Sequence, residues 1–185
     1  MKQKVRRKKV NKDIELYGSE VLHSEIMQKA FEQKHHLHST VGEHTMRVAR
    51  TSVNISHLLQ KLHIRIEMPA VVIGSLCHDL GMIGRNEKYS SDKECYRKHP
   101  ADSVKAAREL VDDLPEKTED IIRRHMWPMR QSRVPNSLEG FIVSGADKYS
   151  SVIDFIIGSR KHAGYSLRNR PAEQEKNCTR QKNVK

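Results

Sequence analysis

Residues 69–82 read Pro-Ala-Val-Val-Ile-Gly-Ser-Leu-Cys-His-Asp-Leu-Gly-Met. Proline suits the first turn of a helix, and the apolar residues behind it predict a helix that ends before Gly81. His78 and Asp79 close this segment, and adjacent helical residues point ~100° apart. Such a pair can address one metal ion, or its carboxylate can bridge two. Because a His-Asp pair also recurs by chance, its meaning depends on the rest of the chain.

Apolar residues at helical spacing continue on both sides of this segment. The predicted helices cover 19–31, 41–62, 69–77, 99–111, 115–125 and 138–157. His99-Pro100 predicts a helix start, because proline suits a first turn. The β-branched residues of 138–157 would also suit a strand, but the length of the segment and its lack of alternation favour a helix. No run alternates as a half-buried strand does, so the predicted fold class is all-α.

The positive charge is concentrated at the two ends of the 185-residue chain. Lys and Arg total 34 against 23 acidic residues, a formal charge of +11. Residues 1–12 contribute +7 and residues 160–185 contribute +6, whereas 13–159 carry −2. We therefore predict one helical domain over 13–160, with disordered basic tails at 1–12 and 161–185. The tails could attract nucleic acid through phosphate charge, but without interleaved aromatic residues a solvated tail is the favoured interpretation.

Composition excludes several classes of protein. No apolar run approaches the ~20 residues of a membrane-spanning helix, and no secretory signal is visible behind the basic start. The three cysteines, Cys77, Cys95 and Cys178, lack metal-type pairing such as C-x-x-C. A sparse, odd set of cysteines fits free thiols in a reducing compartment, so we expect a soluble cytoplasmic protein.

Six histidine and aspartate positions follow one another in an order that carries more information than any of them alone. They are His44 in His-Thr-Met-Arg-Val-Ala, the pair His78-Asp79, His99 in His-Pro-Ala-Asp-Ser-Val, His125, and Asp147 in Ala-Asp-Lys. At these positions the chain resembles the HD-domain metal-dependent phosphohydrolases, from about residue 40 to residue 155. The resemblance implies an HD-domain-like helical bundle.

The resemblance also implies a two-metal centre. His44, His78, Asp79 and Asp147 would hold one ion, and Asp79, His99 and His125 the second, with Asp79 as the bridge. Imidazole and carboxylate ligands suit Fe or Mn, with Zn, Ni or Co as alternatives. Two such ions can clamp a phosphoryl group and lower the pKa of a shared water, so a hydroxide would be the nucleophile.

Each ligand position also has an ordinary structural interpretation. His99 could simply occupy a helix start, His125 could act as a cation at a helix C-terminus, and Asp147 could pair with Lys148 or Arg123. The cluster His35, His36 and His38 matches nothing in the family pattern, so we interpret it as a polar turn between helices. The joint order of the six positions is what favours a metal site.

The chain departs from the family pattern at Met82, where many two-metal relatives have a lysine. The Gly-Tyr-Pro element of the cyclic-dinucleotide branch is also absent from the sequence. Since that lysine is missing, Lys148 is our candidate for the residue that offsets phosphate charge. Asp79, the predicted bridge, and Lys148 are the candidate catalytic residues. Further candidate cations for substrate binding are Arg85, Lys88, Arg130 and Arg133. Each of these could instead be a solvated surface charge.

Three functions follow from these observations. The leading hypothesis is a phosphohydrolase that cleaves a phosphate ester or anhydride of a small molecule, with a nucleotide or dinucleotide favoured. The second is a non-catalytic, metal-containing HD module that senses a nucleotide. The third is a nucleic-acid-associated protein acting through its basic tails, which the near-neutral middle of the chain disfavours. The sequence leaves the substrate, the native metal and the oligomeric state open.

Overall fold

The computed structural model describes residues 2–36, 39–129 and 132–168. These residues form an all-α fold, as predicted, with one short antiparallel pair of strands. The elements are α1 Lys2–Leu22, α2 Glu25–Glu32, β1 Lys34–His36, β2 Ser39–Thr40, α3 Val41–Lys61, α4 Met68–Cys77, a 3-10 turn Leu80–Met82, α5 Arg85–Lys88, α6 Asp92–Leu110, α7 Glu116–Arg124 and α8 Leu138–Arg168. Within these ranges no helix is both long and apolar enough to cross a bilayer.

Helix α4 is the centre of the bundle. Ala70, Val71, Val72 and Leu76 are almost completely buried, and the helix contacts α1, α3, α7 and α8. A helix that is apolar on all sides is stable only when other elements surround it, which explains the position of α4. Its C-terminal end therefore delivers His78 and Asp79 to the interior of the protein.

Helix α3 lies beside α4 and begins at a well-defined cap. The Thr40 side chain accepts a hydrogen bond from the Glu43 backbone N–H, and the Glu43 carboxylate accepts one from the Thr40 N–H. This capping box fixes the first turn of α3. His44 lies in that turn and faces the core, with 1% of its surface exposed.

Helix α6 begins earlier than the sequence predicted. Ser91 caps it, because the Ser91 side chain accepts a hydrogen bond from the Glu94 N–H, and the helix then continues through Pro100. His99-Pro100 is therefore inside a helix and not at its start. His99 shares the buried face of α6 with Cys95, Ser103 and Ala107, which lie one or two turns away.

The N-terminal segment also differs from the prediction of a disordered tail, because residues 2–12 form the first half of α1. Val10 and Ile14, one turn apart, are each 1% exposed and pack into the main core. Arg6 Nε donates a 2.7 Å hydrogen bond to Asn54 Oδ1 on α3. One apolar face within a strongly basic segment is enough to dock this helix.

Two other predictions concern segments at the edge of the described residues. Helix α8 continues to Arg168, past the boundary at 160, whereas the predicted disorder of 169–185 lies outside the described residues. The first two residues of the predicted turn at 35–38 instead belong to β1, which pairs with β2, while residues 37 and 38 lie outside the described residues.

Candidate metal centre

Five helices bring the six predicted ligand residues together in the core. His44 comes from α3, His99 from α6 and Asp147 from α8, while His78 and Asp79 follow α4 and His125 follows α7. Each is at most 5% exposed. A buried group of four histidines and two aspartates is costly without compensating interactions, so the arrangement itself indicates a site.

Asp79 occupies the middle of this group, and its two carboxylate oxygens face different histidines. Oδ2 lies 3.4 Å from His78 Nε2 and 4.0 Å from His44 Nε2. Oδ1 lies 3.4 Å from both His99 Nε2 and His125 Nε2. Asp79 therefore belongs to two sets of potential metal ligands at once, one with His44 and His78 and the other with His99 and His125.

Three of the histidines are oriented by their own helices. The Nδ1 atoms of His78, His99 and His125 lie 2.7, 2.9 and 2.7 Å from the carbonyl oxygens of Ser75, Cys95 and Ile122. Since a carbonyl oxygen can only accept, each Nδ1 carries the hydrogen and donates it. In the neutral ring the Nε2 lone pair is then directed towards Asp79, as a metal ligand requires.

The ring nitrogens that face the centre fit a cation. His99 Nε2 and His125 Nε2 lie 3.1 Å apart, and two lone pairs at this distance repel unless a proton or a metal ion lies between them. Burial lowers the pKa of His125 to about 4, which disfavours the proton. Two nitrogens ~2.1 Å from one ion lie about 3 Å apart when adjacent in its coordination sphere. His78 Nε2, also buried, makes no hydrogen bond to a described residue.

His44 is oriented differently, by carboxylates from α8. His44 Nδ1 lies 2.8 Å from Asp154 Oδ2, and His44 Nε2 lies 3.1 Å from Asp147 Oδ1. Arg47 donates a 2.6 Å hydrogen bond to the other oxygen of Asp154. Sequence analysis missed Asp154, although its position two helical turns after Asp147 and that of Arg47 one turn after His44 were available as signals.

The charge states in the metal-free centre follow from burial and from these contacts. Burial opposes ionisation of Asp79, but the positive charge of His78 and the close approach of the surrounding histidine nitrogens hold its pKa well below the usual range. Burial also opposes protonation of His44, yet hydrogen bonds to Asp147 and Asp154 raise its pKa to about 9. Asp79 is therefore an anion, and His44 must lose a proton to bind a metal through Nε2.

Lys148 is the predicted cation that the structure places beside the ligand group. Lys148 Nζ lies 2.5 Å from Asp147 Oδ2 and 3.2 Å from the carbonyl oxygen of His125. Its side chain is 30% exposed, unlike the six buried residues. Lys148 therefore connects the interior of the site to solvent.

The other candidate cations lie in different surroundings. Arg85 pairs with Asp92 at 2.8 Å, and Lys88 lines a cleft beside α6. Arg133 lines a separate cleft with Tyr96 and Arg97, and Arg130 lies outside the described residues. Met82, at the position of the missing lysine, is buried in a small cluster with Tyr89 and Cys95.

The sequence was also compared with known proteins. A family model described as HD domain matches residues 41–152, more than half of the chain. The chain belongs to the HD domain family. The match includes all six clustered residues, whereas Asp154 lies two residues beyond it. HD domains are generally metal-dependent hydrolases, and the buried His/Asp cluster indicates divalent metal binding here. Comparisons with curated proteins and with solved structures found no match.

Proposed function

We propose that this HD domain is a metal-dependent phosphohydrolase that cleaves a phosphate ester or anhydride of a small molecule, with a nucleotide or dinucleotide as the favoured substrate. The observation that carries the proposal is the position of Asp79. Each of its oxygens faces a different set of histidines, so that one carboxylate can serve two cations. Centres with two ions are a recurrent solution for phosphoryl transfer.

Within this proposal, each ion has its own set of ligands. His44, His78, Asp79 and Asp147 would hold one, and Asp79, His99 and His125 the other. Nitrogen and carboxylate donors favour Fe or Mn, with Zn, Ni or Co as alternatives. When bound, the two ions would polarise a phosphoryl group and lower the pKa of a water molecule.

Residues of the chain supply the remaining requirements. The depressed pKa values of Asp79 and Asp147 keep both carboxylates ionised at neutral pH. Burial of the ligands excludes bulk water and strengthens electrostatic interactions at the centre. Lys148, partly exposed beside Asp147, would donate hydrogen bonds to the phosphate oxygens of a substrate, since a protonated lysine has no lone pair with which to bind a metal.

A second candidate function is a non-catalytic HD module that keeps its metals and senses a nucleotide. Two observations support this second function. Met82 is buried at the position where a phosphate-neutralising lysine is frequent, and the Lys148 ammonium group already contacts Asp147. A protein of this kind would bind a nucleotide and return it unchanged.

Hydrolysis by the reconstituted protein separates the two candidates. The full chain would be purified anaerobically, loaded with Fe(II) or Mn(II), and incubated with a panel of nucleotides, dinucleotides and phosphomonoesters. We expect metal-dependent phosphate or nucleotide release from at least one class, and none after chelation. Saturable nucleotide binding without any turnover, in protein with both metals bound, would instead favour the sensing module.

A further inference from the structure

A groove lined by arginines lies between α1, α3 and α8, formed by Arg6, Arg7, Arg47 and Arg50. Two adjoining cavities, of about 470 and 750 Å³, open along it and share Arg50, Thr51 and Asn54 in their walls. Volumes of ~300–1,000 Å³ are typical of small-molecule sites. We call this feature the arginine groove.

The four arginines of the arginine groove outnumber the two carboxylates in its walls, Glu43 and Asp154, both of which line the smaller cavity. Arg47 pairs with Asp154, but Arg6, Arg7 and Arg50 form no ion pair within 4.0 Å with any carboxylate in the described parts of the chain. Arg6 and Arg50 instead donate to the side-chain oxygens of Asn54 and Asn11. Burial, followed by the charges of Arg7 and Arg47, lowers the pKa of Arg50. Docking of α1 on α3 therefore brings like charges together.

An anion bound in the groove would remove this repulsion. Guanidinium groups bind phosphate through paired hydrogen bonds and are less strongly hydrated than ammonium groups. Thr51 and Asn54 add neutral polar side chains between the arginines, and Leu58 and Tyr149 provide an apolar wall in the larger cavity. We propose that the arginine groove binds a small anion that carries more than one phosphate group.

Calorimetry with pyrophosphate on the full-length, metal-loaded chain tests this proposal, and a phosphate-release assay on the same sample shows that the ligand stays intact. Arg7→Gln combined with Arg50→Gln removes two of the groove cations. Arg47 stays unchanged, because it contacts Asp154. Each lost charged hydrogen bond costs about tenfold in affinity or more, so we expect the dissociation constant to rise by at least about tenfold. A phosphate bound at the metal centre would be insensitive to this double variant.

The matched control is Lys8→Gln combined with Lys12→Gln. Both lysines are exposed, and on α1 they lie on the side opposite the buried Val10 and Ile14. The control makes the same change in net charge on the same surface helix, and we expect pyrophosphate affinity within about twofold of the parent. Equal loss in both double variants would show non-specific charge attraction and overturn the proposal.

Two further readouts keep the result unambiguous. In phosphate-free buffer the arginine double variant should unfold close to the temperature of the parent, since relief of the repulsion offsets the loss of the Arg50–Asn11 hydrogen bond. Metal content should match the parent, which shows that the centre is intact. Absence of pyrophosphate binding by the parent, or binding only of a single-stranded oligonucleotide through the same arginines, would contradict a small-anion site.

Discussion

The four histidines of the candidate metal centre are oriented in two different ways. His78, His99 and His125 each donate to a backbone carbonyl three or four residues earlier, so their orientation is set within one helical turn. His44 depends on Asp147 and Asp154, which are 103 and 110 residues away in the sequence. The orientation of three histidines is thus specified locally, and that of His44 only when α8 packs against α3.

This difference predicts how the orientation of each histidine responds to substitution of its neighbours. A backbone carbonyl survives any side-chain change, so the orientation of the three locally held histidines is hard to disturb without removing the ring. The orientation of His44 can be changed by substituting Asp154, whose carboxylate accepts the hydrogen bond from His44 Nδ1. Asp79 lies between the two sets of potential metal ligands, and its loss should affect both.

Removing the shared carboxylate should have the largest effect. Asp79→Ala deletes a carboxylate that faces both sets of histidines, so we expect both metals and hydrolysis to fall below detection. Elemental analysis and initial rates on the same preparation measure the two losses. Asp112→Ala, at an exposed aspartate on the surface, is the matched control and should retain both properties. A variant at Asp79 that kept two tightly bound metals would exclude the bridging role.

Loss of Lys148 should separate metal binding from turnover. Lys148→Met removes a cation beside the site without removing a ligand, and one lost electrostatic contact to a transition state costs about 10²–10³ in rate. We therefore expect near-normal metal content and a fall of that size in kcat. If Lys148 is a surface lysine without a role, the substitution will leave metal content and kcat unchanged. That result would mean that another cation contacts the phosphate.

Substitution of Asp154 should have a smaller and one-sided effect. Asp154→Asn keeps the shape of the side chain but weakens the hold on His44, and loss of a group that orients a metal ligand typically costs 10–100-fold in metal affinity. We expect one metal to become loosely bound while the ion at His99 and His125 stays tight. Titration of the metal-free protein with metal would show two affinities. Equal weakening of both would contradict a role of Asp154 that is confined to His44.

The same division explains what the sequence could predict. The apolar segment before His78 and the helical spacing elsewhere were sufficient for the all-α fold, because both depend on local pattern. Asp154 escaped because its partner is remote in the sequence, although it repeats the position of Asp147 after two turns. The docking of residues 2–12 was missed because Val10 is an apolar residue among seven cations, and only contact with α4 and its neighbours shows that it is buried.

Helix α6 shows a further limit of sequence patterns. Pro100 suggested a helix start because proline is common there, but Ser91 and Glu94 provide the actual cap eight residues earlier. Helix α6 continues through Pro100, although the proline cannot donate the backbone hydrogen bond to the Tyr96 carbonyl. The longer helix places Cys95 and Ser103 one turn on either side of His99, on the buried face of α6.

The number of metals bound per chain tests the central claim most directly. The full chain would be stripped, reconstituted anaerobically with Fe(II) or Mn(II), freed of excess metal and analysed for metal and protein content, together with His125→Ala. We predict two tightly bound ions for the parent, and one for His125→Ala, since the set with His44 and His78 remains complete. A parent chain that binds at most one ion under these conditions would contradict a centre bridged by Asp79.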